Sequence, residues 1–175
     1  VETNFDARDG KKYSPKNYDG KDHGLVTMRK ALQGSLNIPA VKTMYLVGEE
    51  YTAEFAKRFG YTTFTGDHGL SLVLGGAEVS PLEHTTAYAA LADGGAYHPS
   101  ASLLEVKDGE GNKLFEWQSD PGTEALKPEI AATISNVLSD NEARAYVFGL
   151  NSTLVLPDRP AAAKTGTTSD NKDAW

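Results

Sequence analysis

Residues 160–175 constrain this chain more than any other part of its sequence. Three alanines lead into Lys164, Thr165 and Gly166, and Thr167 follows. Small side chains let a strand lie close to a bulky neighbour, and a glycine without a Cβ lets a ligand approach the backbone. The lysine adds a positive charge, and the threonines add hydroxyl donors and favour a strand. The pattern predicts a strand edge that holds an anionic, acyl-type ligand; a polar turn with a solvated lysine is the alternative.

Composition narrows the class of protein. The 175 residues are 39% hydrophobic and 23% charged, which is typical of one folded globular domain. The net charge of −7 argues against nucleic acid as a partner, because phosphate binding needs a basic face. No apolar run approaches the ~20 residues that span a bilayer, and the polar, acidic start is unlike a signal peptide.

The sequence indicates neither a metal site nor an organic cofactor. Cysteine is absent, which excludes disulfides, thiolate metal sites and a cysteine nucleophile. The four histidines lack the spacing of metal ligands. The acidic turn at 108–112 lacks the glycine and the glutamate of a calcium loop, and the glycine-rich segment 69–76 lacks the spacing of a phosphate or dinucleotide loop.

Two short helices are predicted on either side of a polar connection. Thr27 caps a helix over residues 28–32 that Gly34 ends, and Pro39 begins a second helix that stops at Gly48. Ser35 and Asn37 then lie in the connection, and positions i and i+2 of a non-helical turn can point the same way. A paired hydroxyl and amide for ligand binding is one interpretation, and two capping residues is the other.

The rest of the chain is predicted to be mostly helical. Ser80, Pro81 and Glu83 form the pattern of a capping box, and the alanine-rich helix that follows is expected to be central. Further helices are predicted at 51–59, at 144–149 and at 128–138. The last of these is expected to turn Ile130, Ile134, Val137 and Leu138 inward. Residues 101–106 and 113–118 predict a β-hairpin. The fold class is therefore α+β.

Two motifs and their surroundings identify a resemblance. Ser35-Leu36-Asn37 and Lys164-Thr165-Gly166, 129 residues apart, have the forms Ser-x-Asn and Lys-Thr-Gly of penicillin-binding proteins and serine β-lactamases. The chain resembles the transpeptidase domain of class A, bifunctional penicillin-binding proteins over nearly its whole length, through the segments at 17–20, 35–41, 72–76, 79–83, 87–89, 94–95, 163–168 and 173–175. The resemblance implies a partial penicillin-binding-protein fold, mostly helical with a hairpin and a Lys-Thr-Gly strand.

The sequence departs from the family pattern at the nucleophile. The family places the serine of Ser-x-x-Lys before the Asn-Tyr-Asp-Gly segment, and the sequence has its one Ser-x-x-Lys string at Ser169–Lys172 instead. That string follows the lysine strand in a turn-forming run, whereas a nucleophile needs a fixed helix start with the lysine one turn further on. We therefore interpret Ser169 as a chance match and not as the nucleophile. We expect residues 1–175 to be a partial transpeptidase domain that is cut at both ends and inactive by itself. An unpaired edge of the Lys-Thr-Gly strand would then favour self-association.

The resemblance implies roles for the motif residues in a parent D,D-transpeptidase. The absent serine attacks the D-alanyl carbonyl of a peptidoglycan stem peptide, and Ser35 relays protons nearby. Asn37 holds the substrate backbone, and Lys164 supplies positive potential. This chemistry needs no metal or organic cofactor.

The remaining implied roles concern the substrate carboxylate. Thr165, Gly166 and Thr167 would bind the terminal carboxylate of the stem peptide or of a β-lactam, and the Thr167 N–H would serve the oxyanion hole. The parent would be membrane-anchored and would act outside the bacterial cytoplasmic membrane. A D,D-carboxypeptidase, a β-lactamase, a β-lactam sensor, or a non-catalytic module that binds peptide or a partner protein are the alternatives.

Overall fold

The computed structural model describes residues 4–6, 12–64, 66 and 68–167. The six α-helices of these ranges are α1 Met28–Gln33, α2 Asn37–Val47, α3 Glu49–Lys57, α4 Pro81–Ala92, α5 Pro128–Ser139 and α6 Asn141–Phe148, with a 3-10 helix at Gly69–Leu74. The strands are β1 Phe5–Asp6, β2 Lys12–Tyr13, β3 Ala96–Tyr97, β4 Glu105–Lys107, β5 Lys113–Glu116 and β6 Thr123–Glu124. They form three antiparallel pairs, β1 with β2, β3 with β6 and β4 with β5. The mixture of helices and small sheets confirms the α+β fold class.

The first helix begins and ends where the sequence predicts. Thr27 accepts a hydrogen bond from the Lys30 N–H, and the Gly34 N–H closes the last turn on the Lys30 carbonyl at 2.8 Å. The second helix stops before Gly48 as expected, but it begins at Asn37 rather than at Pro39. Since the N–H groups of the first helical turn have no intrahelical partner, a proline in that turn costs no hydrogen bond.

The alanine-rich helix α4 contributes Ala87 and Ala90 to the core, but its capping box is not formed. Ser80 precedes the helix without a side-chain bond to it. Glu83 instead accepts from the hydroxyls of Thr62 and Thr63, at 2.6 and 3.2 Å. These bonds to another loop compete with the local cap, and sequence spacing alone does not reveal that competition.

Two apolar clusters form the core. One joins β1, α2 and the 3-10 helix through Phe5, Val41, Met44 and Leu70. The other surrounds α4 and consists of Phe59, Ala87, Ala90 and Ala125. Small alanines let the neighbouring segments approach α4 closely.

Helix α5 has the predicted extent, and one of its four predicted inward residues is exposed instead. It packs against α1 and α4. Ala131 and Leu138 are its buried residues, whereas Ile130, predicted inward, is 47% exposed. The small Ala131 permits the close approach, which turns the neighbouring isoleucine outward.

The predicted hairpin is confirmed, with strands shorter than expected. In its turn, Asp108 accepts from the N–H groups of Glu110 and Asn112, at 2.9 and 2.8 Å. Among the helices that the structure describes, none is long and apolar enough to cross a membrane.

The predicted Lys-Thr-Gly strand is wrong for residues 161–166, which have no regular secondary structure, and Thr167 makes an isolated bridge. A strand requires a ladder of hydrogen bonds to a neighbouring strand. The backbone bond described for this segment runs instead from the Ala163 N–H to the Leu138 carbonyl of α5, at 3.0 Å. Self-association through an edge of this segment stays a prediction, which a measurement of molecular mass in solution tests.

Candidate functional site

Ser35 occupies a strained position at the end of α1. Among the described residues it is the one non-glycine residue with a positive φ, 52°. The Ser35 N–H bonds the Leu32 carbonyl at 3.1 Å and the Leu36 N–H bonds the Ala31 carbonyl at 3.0 Å, so the helix ends in a Schellman motif. Glycine is the usual residue at this left-handed position, and a serine there is held by its surroundings.

The glycine of this turn lies one position earlier and has a packing role. A Cβ on Gly34 would lie 2.8 Å from the Lys30 carbonyl oxygen and 2.9 Å from Cγ2 of Val147 in α6. The absence of a side chain therefore lets α1 approach α6 closely. This contact sets the position of Ser35 relative to α6.

Lys164 meets Ser35 directly, although 129 residues separate them. Its Nζ donates to Ser35 Oγ at 2.6 Å and to the Thr165 carbonyl at 2.6 Å. Within the described part of the chain, no carboxylate forms an ion pair with this ammonium. Because burial disfavours the charged form, the pKa of Lys164 lies below its ordinary value. A lysine with a lowered pKa beside a serine hydroxyl can exchange protons with that hydroxyl.

Asn37 lies in the first turn of α2, two residues after Ser35. Its Nδ2 donates to the Lys16 carbonyl at 2.8 Å. Since a carbonyl only accepts, this bond fixes the orientation of the amide and leaves Oδ1 as the atom available to a ligand. An amide oxygen in this position can accept a peptide N–H.

The other predicted site residues follow Lys164 in sequence. Thr165 is half-buried, and its carbonyl accepts from the Lys164 ammonium. Gly166 and Thr167 are exposed. The structure therefore joins Ser35 and Lys164 and places Asn37 at the start of α2, two residues after Ser35. The three carboxylate-binding candidates lie on the lysine segment. Ser169 and the rest of the Ser-x-x-Lys string lie outside the described residues.

The described ranges contain no cluster of three or more histidine, cysteine, aspartate or glutamate side chains that could hold a metal ion. Three histidines have other partners. His23 bridges Asp19 and Tyr146, His98 contacts Asp93, and His84 contacts Tyr61.

Sequence reasoning missed three buried polar side chains near the motifs. Asn17, Gln33 and Arg144 are the polar or charged residues that are buried in the described part of the chain. The sequence offers only a weak signal that these side chains are buried, since Gln33 and Arg144 are simply polar residues within helices. Their role depends on contacts far along the chain.

A family model of the penicillin-binding protein transpeptidase domain matches residues 2–174. The fold and the convergence of the Ser-x-Asn and Lys-Thr-Gly motifs agree with that match, and the chain belongs to this family. Among its relatives, penicillin-binding protein 1A of Neisseria flavescens is 33% identical over 171 residues, which cover 95% of this chain and 21% of the relative. Penicillin-binding protein 1A of Aquifex aeolicus is 35% identical over 175 residues, with coverage of 98% and 23%.

Solved structures show the same fold. Penicillin-binding protein 1A from Haemophilus influenzae superposes with a TM-score of 0.81 at 23% identity, over 100% of this chain and 31% of that one. Penicillin-binding protein PonA1 from Mycobacterium tuberculosis gives a TM-score of 0.79 at 26% identity, over 99% and 48% of the two chains. The chain spans about a fifth of the length of the curated relatives it matches.

Proposed function

We propose that residues 1–175 form part of the transpeptidase domain of a peptidoglycan D,D-transpeptidase. The observation that carries the proposal is the 2.6 Å bond from Lys164 Nζ to Ser35 Oγ. It joins two motifs that are remote in sequence into one pair suited to proton exchange, and Asn37 follows Ser35 by two residues. Membership of the penicillin-binding protein transpeptidase family supports the assignment.

In this reaction a serine oxygen bonds to the D-alanyl carbonyl of a stem peptide and releases the terminal D-alanine. The proton of that serine passes to the leaving amine, and Ser35 and Lys164 are suited to relay it. An amine of a second stem peptide then attacks the acyl-serine and forms the cross-link. The nucleophile is a serine of a Ser-x-x-Lys motif outside these residues.

The other residues hold the substrate. Asn37 Oδ1 accepts an N–H of the peptide backbone, since its Nδ2 is already bonded to Lys16. The lysine segment, with Thr165, Gly166 and Thr167, binds the terminal carboxylate. Positive potential from Lys164 favours that anion. A β-lactam presents the same carboxylate beside a reactive carbonyl and binds in the same place.

The cellular setting follows from this substrate. Peptidoglycan is assembled outside the cytoplasmic membrane, so we propose that the parent protein acts there and is membrane-anchored. We also propose that the 175-residue chain alone is not acylated, because its Ser-x-x-Lys string at Ser169–Lys172 follows the lysine segment in a turn-forming run.

Labelling by a fluorescent penicillin tests the function in a longer protein that contains this chain. Lys164→Ala is expected to reduce the rate of acylation by about 10²-fold or more, as loss of an electrostatic group does in other acyl-transfer sites. Lys42→Ala, which removes an exposed lysine of α2, is the matched control and should label normally. Equal labelling of the two variants would overturn the proposal.

The same reagent tests the isolated chain and the alternative of a non-catalytic module. We expect no covalent adduct by denaturing electrophoresis and intact mass. An adduct that disappears in Ser169→Ala would show that Ser169 is a nucleophile. A longer protein that binds penicillin without forming an adduct would favour the non-catalytic module.

A further inference from the structure

Three buried polar side chains share a property that the motif residues lack. Asn17 is 5% exposed, and Gln33 and Arg144 are each 2% exposed. Each bonds to a main-chain atom of another segment of the chain. We call Asn17, Gln33 and Arg144 the bracing residues.

Gln33 connects the end of α1 to the corner between α5 and α6. It is the last residue of α1, and its Nε2 donates to the Asp140 carbonyl at 2.9 Å. Asp140 joins α5 to α6, and its carboxylate accepts from Arg29 of α1 at 3.0 Å. The turn that carries Ser35 is therefore fixed to this corner two residues before the serine.

Arg144 connects the same corner to the lysine segment. Its Nη2 donates to the Leu138 carbonyl at 2.6 Å, and that carbonyl also accepts the Ala163 N–H at 3.0 Å. The Leu138 carbonyl therefore links the Arg144 guanidinium to Ala163, the residue directly before Lys164.

Packing alone does not explain a buried arginine at position 144, because the buried guanidinium lowers stability. Its Nε is buried without a partner, and no carboxylate pairs with it in the ranges that the structure describes. A buried cation without a counter-ion lowers stability, and an apolar side chain of similar volume would avoid that cost. An apolar side chain at position 144 would lack the hydrogen bond that Arg144 donates to the Leu138 carbonyl.

Asn17 acts on the other side of the turn. Helix α2 follows Leu36, which has no polar side chain to cap it. The Asn17 Oδ1 accepts from the Ile38 N–H at 3.2 Å, and its Nδ2 donates to the Lys21 carbonyl at 2.8 Å. The cap of α2 thus comes from a residue 21 positions away, next to the Lys16 carbonyl that orients Asn37.

We propose that the three bracing residues are positioning residues, which hold the Ser-x-Asn turn against the Lys-Thr-Gly segment. None of them has a described contact with the Ser35 hydroxyl or the Lys164 ammonium. They act through the backbone: Gln33 and Arg144 set the Ser35–Lys164 contact, and Asn17 sets the start of α2 and the orientation of Asn37. The catalytic meaning of this inference rests on the proposed function, whereas its geometry does not.

The first test reads the environment of Lys164 in the 175-residue chain, by NMR titration of ¹³C-labelled lysine. Gln33→Leu and Arg144→Met should each raise the pKa of Lys164 toward its ordinary value, because the loosened ammonium becomes solvated. Arg144→Lys keeps a cationic donor and should restore part of the difference. Gln118→Leu, at an exposed position, should change nothing.

A second control separates positioning from stability. Val41→Ala removes buried volume in the core cluster formed by β1, α2 and the 3-10 helix. It should lower the melting temperature without moving the pKa of Lys164. If Arg144→Met does not fold, Arg144→Leu takes its place beside Gln33→Leu, because it also removes the donor. An unmoved Lys164 pKa in the folded bracing variants, or an equal shift in Val41→Ala, would overturn the inference for Gln33 and Arg144.

The second test addresses Asn17 by amide exchange and the side-chain resonances of Asn37. Asn17→Ala should accelerate exchange of the Ile38 N–H by tenfold or more and shift the Asn37 NH₂ signals. Asn17→Asp keeps the acceptor and should preserve protection of Ile38. Asn112→Ala, which removes the bond from its Nδ2 to the Asp108 carboxylate in the hairpin turn, is the control.

Unchanged exchange of the Ile38 N–H in Asn17→Ala would overturn the inference for Asn17. So would a loss of Ile38 protection in Asn17→Asp that equals the loss in Asn17→Ala. None of these readouts needs a nucleophile. Failure here is therefore distinct from failure of the proposed function, which the penicillin labelling of Lys164→Ala decides.

Discussion

Two polar turns of this molecule are built in opposite ways. The hairpin turn at 108–112 is held by bonds between residues two to four positions apart, and a glycine, Gly111, takes the positive φ. In the turn between α1 and α2 a serine takes the positive φ, and its hydroxyl meets a lysine 129 positions away. The first turn is specified locally, and the second depends on tertiary contacts that hold a strained residue near a charge.

The largest expected difference between the turns comes from added volume. Gly34→Ala places a Cβ within 3 Å of two atoms, one of them a backbone oxygen, and overpacking of this kind typically costs about 1–3 kcal/mol. Gly109→Ala in the hairpin meets no atom within 4 Å and is expected to change stability by less than about 0.5 kcal/mol. Urea unfolding of both variants measures the difference, and equal stabilities would contradict the close approach of α1 and α6.

The second difference concerns backbone strain. Ser35→Ala and Ser35→Gly both remove the hydroxyl, but only glycine adopts a left-handed φ without a steric penalty. The glycine variant should therefore be more stable than the alanine variant by about 1 kcal/mol.

In the hairpin, the opposite kind of substitution replaces a glycine that has a positive φ by alanine. Gly111→Ala should lose about 1 kcal/mol, because it forces a side chain into a positive φ. Denaturant unfolding of the three variants checks the pair of expectations. An alanine at 35 as stable as a glycine would show that the turn relaxes.

A third difference appears at alkaline pH. The folded pKa of Lys164 is below its ordinary value, so the unfolded chain binds more protons between the two pKa values. The stability of the native chain relative to Lys164→Met should therefore rise as pH increases through that window. Unfolding at a series of pH values measures this, and a stability difference that is flat across the window would show that Lys164 is solvated.

The smallest expected effect lies at acid pH, in the hairpin. The bonds that Asn112 donates to the Asp108 carboxylate lower the pKa of that group. Its contribution is present above the ordinary aspartate pKa and is lost as pH falls through the folded value. Asp108→Asn should remove this acid dependence, and local amide exchange at Gly111 and Asn112 is sensitive enough to follow it. Identical acid dependence in the variant would contradict the role of the carboxylate.

The same contrast explains what the sequence could predict. The start of α1 at Thr27, the ends at Gly34 and Gly48 and the hairpin depend on neighbours in sequence, and the structure confirms them. The Ser80–Glu83 capping box and the inward Ile130 were wrong, because Thr62 and Thr63 bind Glu83 and because Ala131 provides the closer contact in α5.

The candidate site divides in the same way. The motifs of Ser35, Asn37 and Lys164 were readable from residue types and from the resemblance. The bracing residues were not, because each acts through a backbone atom at least four positions away along the chain. The strand predicted at Lys164 failed for a related reason: a β-strand needs hydrogen bonds to a neighbouring strand, and the Ala163 N–H bonds to a helix end instead.

A double-mutant cycle on Ser35 and Lys164 tests the central claim, that these residues form one site. Unfolding free energies of the native chain, Ser35→Ala, Lys164→Met and the double variant give the coupling between the two side chains. A hydrogen bond from a charged donor predicts a coupling of about 1–3 kcal/mol. Additive effects, to within about 0.3 kcal/mol, would mean that Ser35 and Lys164 do not interact and would contradict the account.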